Sequence, residues 1–165
     1  MEILPFDYRR VFSVMNGHSV AFLLVGGLNY FFLHKPVTTQ DIDLLIEDTP
    51  QNRSRCERAL TELNGDWGRN DDDWGPVCAK QDGWLSNQGV FCLLTHCGPV
   101  DIFLSIPGIP NYHEAFLRSV ELELDLTTSV RLISARDLLA CQLAIPEVNR
   151  KSERVAFLRG ILEHE

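Results

Sequence analysis

An unbroken apolar run of strand length, Val20 to Val25, stops on the pair Gly26-Gly27 and is followed by a short aromatic-rich segment, Leu28 to His34. Run length and glycine punctuation make this unit a strand, a glycine turn and a helix. Thr38-Thr39-Gln40 then leads into Asp41-Ile42-Asp43-Leu44-Leu45-Ile46. Side chains alternate across a strand, so Ile42, Leu44 and Ile46 share one face and both carboxylates, Asp41 and Asp43, share the other. Thr49 before Pro50 starts a second helix by capping, with Cys56, Ala59, Leu60 and Leu63 as its buried stripe. The resulting β-α-β-α order points to the α/β class, a sheet with helices laid against it.

The flanking sequence extends this unit. Asp7 can cap a helix running to about Asn16, where Val11, Val14 and Met15 share an apolar face and Gly17 is the stop. Residues 66–88 carry three Trp, Asp71-Asp72-Asp73 and several Gly without a sustained period, which predicts a long loop with a short strand at most. Val90 to Thr95 and Val100 to Ser105 read as a hairpin joined by His96-Cys97-Gly98-Pro99, with Asp101 at the start of the second strand. A helix is expected over Tyr112 to Val120, a half-exposed strand over Glu121 to Leu126 and another short strand over Val130 to Ile133. Ser134 with Asp137 forms a capping pair for a helix ending before Pro146, and a last helix runs from about Asn149 to Leu162.

At 165 residues, the chain fits one domain able to bury a core without disulfides or a structural metal. The expected division is a core over residues 18–133 and C-terminal helices over 134–163. Fifteen Lys and Arg against 23 Asp and Glu give a formal charge of −8, which argues against extended nucleic-acid binding and leaves room for a small anion held by a few local groups. The five cysteines are odd in number and lack CxxC pairs, as expected of reduced thiols in the cytoplasm. The N-terminus has no basic stretch followed by an apolar run, and Gly26-Gly27 and Asn29 interrupt the segment from Val20 to Leu33, so neither a signal peptide nor a membrane span is expected.

Two aspartates on one strand face repel each other, and burying either charge unpaired is costly. A divalent cation resolves the conflict. Magnesium takes oxygen ligands, keeps several waters and is usually held by one or two carboxylates together with substrate phosphates. Gly26-Gly27, between strand and helix, lets backbone N–H groups approach a phosphate where the helix N-terminus favours negative charge. Asp101 supplies a third carboxylate, for a second metal ion or to take the proton of an attacking hydroxyl. Taken singly, each has a plainer account: a solvated strand end, a tight packing turn and a turn-flanking aspartate.

The order Leu-Val-Gly-Gly, short helix, Thr-Thr-Gln-Asp-Ile-Asp-Leu-Leu-Ile, then Val-Asp-Ile-Phe on a downstream hairpin strand resembles the DNA polymerase β-like nucleotidyltransferase superfamily. Within it the chain is most similar to the small bacterial AbiEii-type and minimal nucleotidyltransferases, some of which act as antitoxins. The resemblance covers Val20 to Ile106 by motif and, more loosely, Ser134 to Leu162 by its helices. It implies a mixed central sheet with helices mainly on one face and a C-terminal helical tail. It also implies magnesium or manganese held by Asp41, Asp43 and Asp101, and a nucleoside triphosphate such as ATP against Gly26, Gly27, Thr39 and Lys35. The implied reaction moves a nucleoside monophosphate to a hydroxyl on protein, RNA or a small molecule and releases pyrophosphate.

Two positions depart from that pattern. Relatives place an Arg shortly before the Thr-x-Asp-x-Asp segment, where this chain has Lys35-Pro36-Val37; a lysine keeps the charge and loses the bidentate fork. They also carry a Lys in the helix after the Ser-x-x-Asp cap, where this chain has Gln142. These substitutions motivate an alternative, a weakly active or inactive binding module of the same fold acting through a protein partner such as a toxin.

Other chemistry-bearing residues carry less. The histidines are scattered without metal spacing, and only His96, close in sequence to Asp101, draws interest. Cys92 and Cys97 flank the hairpin and are expected as free thiols. Asp71-Asp72-Asp73 reads as solvated charge, and Trp67, Trp74 and Trp84 as core packing in preference to a lid or partner surface. Arg150, Lys151, Glu153 and Arg154 form a mixed-charge helix face that reaches a phosphate only if the last helix folds over the cleft.

Overall fold

The computed structural model describes residues 6–34, 37 and 39–164. Lys35, expected at the nucleotide, lies outside the described residues, as does Thr38. Six α-helices and eight strands follow in the order α1 (Tyr8–Gly17), β1 (Phe22–Val25), α2 (Gly26–Leu33), β2 (Ile42–Ile46), α3 (Pro50–Glu62), β3 (Asp66–Trp67), β4 (Gly75–Pro76), β5 (Val90–Thr95), β6 (Gly98–Phe103), α4 (Tyr112–Arg118), β7 (Val120–Glu123), β8 (Ser129–Leu132), α5 (Ala135–Leu143) and α6 (Ser152–Glu163).

Capping chemistry sets most helix starts. Asp7 accepts a hydrogen bond from the Arg10 N–H, Thr49 from Asn52, Asn111 from Glu114 and Ser134 from Asp137, each satisfying an otherwise orphaned first-turn donor. Helix α2 differs, because it begins on the two glycines themselves and its N-cap, Val25, offers no side-chain acceptor.

All eight strands join one mixed sheet in the order β4-β3-β5-β6-β2-β1-β8-β7. β1 runs antiparallel to β2 and parallel to β8, and β2 runs parallel to β6. Alternation along the central strands buries both sheet faces. On one side, Leu24, Ile42, Leu44, Ile46, Phe91, Val100 and Ile102 meet Val11, Phe12 and Met15 of α1 and Cys56, Ala59 and Leu60 of α3. On the other, Leu23, Val25, Leu45 and Ile133 meet Ala115 of α4, Leu138 of α5 and Leu158 of α6. The helices therefore divide between the two faces, as strands with apolar residues at both parities require. Helix α2 straddles the rim, with Leu28 in the first cluster and Tyr30 in the second.

The expected long loop holds more structure than its composition suggests. Asp66 and Trp67 pair with Gly75 and Pro76 and extend the sheet beyond β5. Trp67 is buried and stacks on Trp84 at 5.3 Å, which favours core packing for these two, whereas Trp74 stays exposed. Asp73 is tied to the Arg69 N–H and to Lys80, so it closes the loop on itself.

No described helix is long and apolar enough to cross a membrane. All five cysteines are free, Cys92 and Cys97 included.

Candidate functional site: a carboxylate row beside a glycine turn

The site forms where β1 ends and β2 and β6 lie side by side. Val25 pairs with Asp43, Asp43 with Asp101, and Asp101 with Cys92, giving one row of residues across β1, β2, β6 and β5. Parity puts the row on the sheet face that α4, α5 and α6 cover elsewhere, since Asp43 is in phase with Leu45 and Asp101 with Phe103. Asp41 is in the same phase and stands exposed just before β2. Asp43 and Asp101, distant in sequence, are thus direct neighbours because their strands run parallel and in register.

Electrostatics follow from that contact. Asp43 is pushed up to about 7, first by burial, then by the charges of Asp101 and Asp41; its carboxyl also hydrogen-bonds Asp101, and Arg154 opposes the rise. Asp101 is also raised, by burial and by Asp41, and is drawn back by hydrogen bonds from Cys92 and Asp43. Two carboxyls in contact resolve their repulsion by sharing a proton. The Cys92 thiol is raised in turn, by burial and by the Asp101 carboxylate to which it donates.

The glycine turn is shaped around these acids. Gly26 has φ +72°, a left-handed conformation that favours glycine, and a Cβ there would overlap the Asp43 carboxylate. A Cβ on Gly27 would stand 3.3 Å from the Thr39 Oγ1 and 3.8 Å from the Arg154 Nη2. Thr39 donates its hydroxyl hydrogen to the Asp41 carbonyl at 3.2 Å, which fixes the lead-in to β2 beside the turn. The expected residues Gly26, Gly27, Thr39, Asp41, Asp43 and Asp101 therefore come together. His96 does not join them through a hydrogen bond; it lies in the hairpin turn, its N–H donating to the Leu63 carbonyl.

Arg154, Tyr30 and Cys92 complete the surroundings. Arg154 projects from α6 and its guanidinium lies 4.9 Å from the centre of the Tyr30 ring. Burial draws its pKa down, while Tyr30 and Asp43 draw it up. Tyr30 is 1% exposed, and its hydroxyl has no hydrogen-bond partner among the described residues. The sequence offered Arg154 only as one of several charges on a helix face, and nothing local distinguished it from Arg150. The latter donates to the Leu143 and Ile145 carbonyls and so caps α5.

Among the described residues, no group of three or more His, Cys, Asp or Glu side chains is arranged to hold a metal ion. The donor chemistry of the acid row nevertheless fits a hard dication. Asp43 and Asp101 are all-oxygen ligands forced together against their own repulsion, and a cation relieves what a shared proton relieves now. Asp41, exposed before the strand and in the same phase, would be the third oxygen ligand.

The fold of the chain matches that of solved structures assigned as nucleotidyltransferases or as the antibiotic-resistance factor ANT(2'')-Ia. Among solved structures, the chain superposes on ANT(2'')-Ia in complex with adenylyl-2''-tobramycin with a TM-score of 0.58 and 16% identity, over 94% of this chain and 87% of that one. The solution structure of the antibiotic-resistance factor ANT(2'')-Ia gives a TM-score of 0.55 at 15% identity, over 92% and 78%. A provisionally assigned nucleotidyltransferase from Thermotoga maritima gives 0.53 at 16%, over 96% and 91%. No protein-family model matches the sequence, and no curated protein matches it. The likeness is thus one of fold and not of sequence.

Proposed function

We propose that this protein is a metal-dependent nucleotidyltransferase that moves a nucleoside monophosphate from a nucleoside triphosphate to a hydroxyl acceptor. The observation that carries the reading is the in-register contact of Asp43 with Asp101, beside a glycine turn shaped around the Asp43 carboxylate. Affinity with the AbiEii-type and minimal nucleotidyltransferases belongs to the same proposal and rests on the order of the motifs.

In this reading Asp41 and Asp43 hold magnesium or manganese, and Asp101 is a further ligand or the proton acceptor. When bound, the metal would neutralise charge on the triphosphate and on the departing pyrophosphate. Backbone N–H groups at Gly26 and Gly27 would receive the phosphates at the uncapped start of α2, with Thr39 beside them, its hydroxyl given to the Asp41 carbonyl. The acceptor oxygen forms its bond to the α-phosphorus as the bond to the pyrophosphate oxygen breaks. Its proton passes to a carboxylate, and Asp101, set beside Asp43 on the neighbouring parallel strand, is the one we assign to receive it. The ANT(2'')-Ia complex, in which an adenylyl group sits on tobramycin, supports a group transfer of this kind. The charge of −8 disfavours extended nucleic acid as the acceptor.

Titration with ATP, GTP, CTP and UTP, with and without magnesium, tests the reading, repeated on the Asp41→Asn plus Asp43→Asn variant. Metal-dependent binding that the variant loses supports it; binding to none of the four sinks it. Transfer of an α-labelled nucleotide to a partner, RNA or a small molecule then separates an enzyme from the alternative, an inactive module acting on a protein partner such as a toxin. One observation favours that alternative: the Gln142 side chain accepts from the Lys151 N–H at 2.8 Å, so the position expected to carry a cation serves as a joint between α5 and α6.

A further inference from the structure

We propose that Arg154, on the C-terminal helix α6, is a polyphosphate-binding residue that supplies from α6 the positive charge missing at Gln142. This inference rests on the nucleotidyltransferase reading and adds to it a residue, a ligand class and a role for the last helix.

Three observations place the guanidinium at the phosphate end of the site. Its Nη2 is 3.8 Å from the position a Cβ would take on Gly27, so it borders the turn at which α2 begins. It lies over the face of Tyr30, one helical turn into α2. Its helix buries Leu158 in the cluster on the sheet face that Asp43 and Asp101 share by parity, so it stands on the same side of the sheet as the acid row. A planar guanidinium packed on an aromatic face has its orientation fixed by stacking, and its N–H edge remains available for oxygen.

Its donors are otherwise unused. Five of the arginines, Arg9, Arg53, Arg118, Arg131 and Arg150, hydrogen-bond a carboxylate, hydroxyl or carbonyl through their guanidinium, and Arg58 reaches Ser54. Among the described residues, Arg154 has no hydrogen-bond acceptor within reach, although it is half-buried. The hydroxyl of Tyr30, the buried residue whose ring Arg154 covers, also lacks a partner among the described residues. Two unsatisfied polar groups in a partly desolvated setting call for an acceptor-rich ligand. The ligand must offer acceptors, since the guanidinium has only donors; the guanidinium's charge favours an anion, and the ligand must reach the glycine turn. A polyphosphate meets both requirements, either as the β- and γ-phosphates of a nucleoside triphosphate or as free pyrophosphate. In the transfer reaction the same contact would hold the leaving group.

The joint between α5 and α6 accounts for the position of Arg154. Gln142 ties the end of α5 to the start of α6, and Arg150 caps α5 from the α6 side. The joint fixes the angle at which α6 returns over the sheet, with Leu158 buried in the second core cluster, and Arg154 faces the turn as a consequence.

The test uses the full chain with magnesium present and measures affinity for each nucleoside triphosphate, for inorganic pyrophosphate and for the matching nucleoside. Arg154→Ala should weaken both triphosphate and pyrophosphate by roughly tenfold or more and leave the nucleoside unchanged. Arg154→Lys should recover part of the loss. Arg154→Gln, which keeps most of the aliphatic stem, guards against a folding defect and should behave as Arg154→Ala with an unaltered thermal midpoint. If the wild type binds triphosphate and Arg154→Ala binds it equally well, the inference is overturned while the nucleotidyltransferase reading stands. Weakened triphosphate with unchanged pyrophosphate also overturns it, because Arg154 would then act on base or sugar. If the wild type binds none of the probes, both readings fall together.

Discussion

The Asp43 carboxylate occupies the space that a β-carbon on Gly26 would need. A backbone position at the end of β1 and a side chain on β2 are therefore fitted to each other, and the two strands pair at that level through Val25 and Asp43. Gly26→Ala should displace the carboxylate and force an L side chain to φ +72°, at a cost of about 1–2 kcal/mol from the backbone alone. Gly17→Ala is the control, since nothing lies within 4 Å of a Cβ there and its φ is not positive. Chemical denaturation should show Gly26→Ala destabilised and Gly17→Ala unchanged or slightly stabilised, and only the former should lose metal-dependent nucleotide binding.

The acid row is expected to lower stability in order to hold a cation. An acid whose folded pKa is raised binds its proton more tightly in the folded state than in the unfolded one. For Asp43, between its ordinary value of 3.8 and about 7, the folded protein holds a proton that the unfolded chain has released. Stability should therefore fall as pH rises through that window and stay low above it. Asp101, also raised, adds in the same direction. At about 1.4 kcal/mol per tenfold change in proton affinity, Asp43 alone sets a ceiling of roughly 4 kcal/mol, and proton sharing with Asp101 makes the two effects non-additive. Asp43→Asn should raise the thermal midpoint above pH 7 in buffer containing a chelator, while magnesium should stabilise the wild type more above that pH than at mildly acidic pH and leave the variant unmoved. A variant less stable than wild type above pH 7 would contradict the repulsion.

Much of this was legible in the sequence because strand periodicity and helix capping are local. Thr49-Pro50 and Ser134 start their helices where they should, and the alternation of Asp41, Ile42 and Asp43 sets both acids on one face. What was not legible depends on register. Reading His96-Cys97-Gly98-Pro99 as the hairpin connection would set Asp101 against Leu94. The turn is in fact two residues tighter, because Gly98 takes φ +107° and Thr95 bonds across it to the Gly98 carbonyl and the Cys97 N–H. Pro99 enters the strand, Asp101 moves from its start to its middle, and Cys92 becomes its neighbour. Arg154 was hidden for another reason, since its role is set by where α6 returns in space and no spacing along the chain records that.

Asp137 does more than give its N–H to the Ser134 cap of α5. It is 3% exposed and takes a bidentate pair from Arg118, Nε at 3.0 Å and Nη2 at 2.9 Å, while Ser134 donates to it at 3.2 Å. The pair clamps α4 to α5 beneath the second core cluster. Removing one partner strands the other charge, which typically costs about 3–5 kcal/mol for a fully buried pair. Arg118 is about one-third exposed on its side chain, so Arg118→Met should fall at or below the lower end of that range in urea denaturation. Replacing both, with Arg118→Met and Asp137→Leu, should recover a large part of the loss, since no uncompensated charge remains. Equal destabilisation by the single and double variants would show that the clamp acts through packing.

Cys92 offers a footprint of the site that does not depend on turnover. It is exposed, sits opposite Asp101 on β5 and donates its thiol hydrogen to that carboxylate. Since the thiolate is the reactive form, the raised pKa should slow modification, and Asp101→Asn should speed it by removing the facing charge. Cys78, also exposed but in the turn between β4 and β5, serves as the internal reference. A cation and triphosphate seated on the acid row would cover the Cys92 side of Asp101. Magnesium with a bound triphosphate should therefore protect Cys92 from a small alkylating reagent while Cys78 reacts at its former rate. Protection of both would indicate global tightening, and protection of neither, under conditions where nucleotide binding is measured directly, would place the nucleotide away from the carboxylate row.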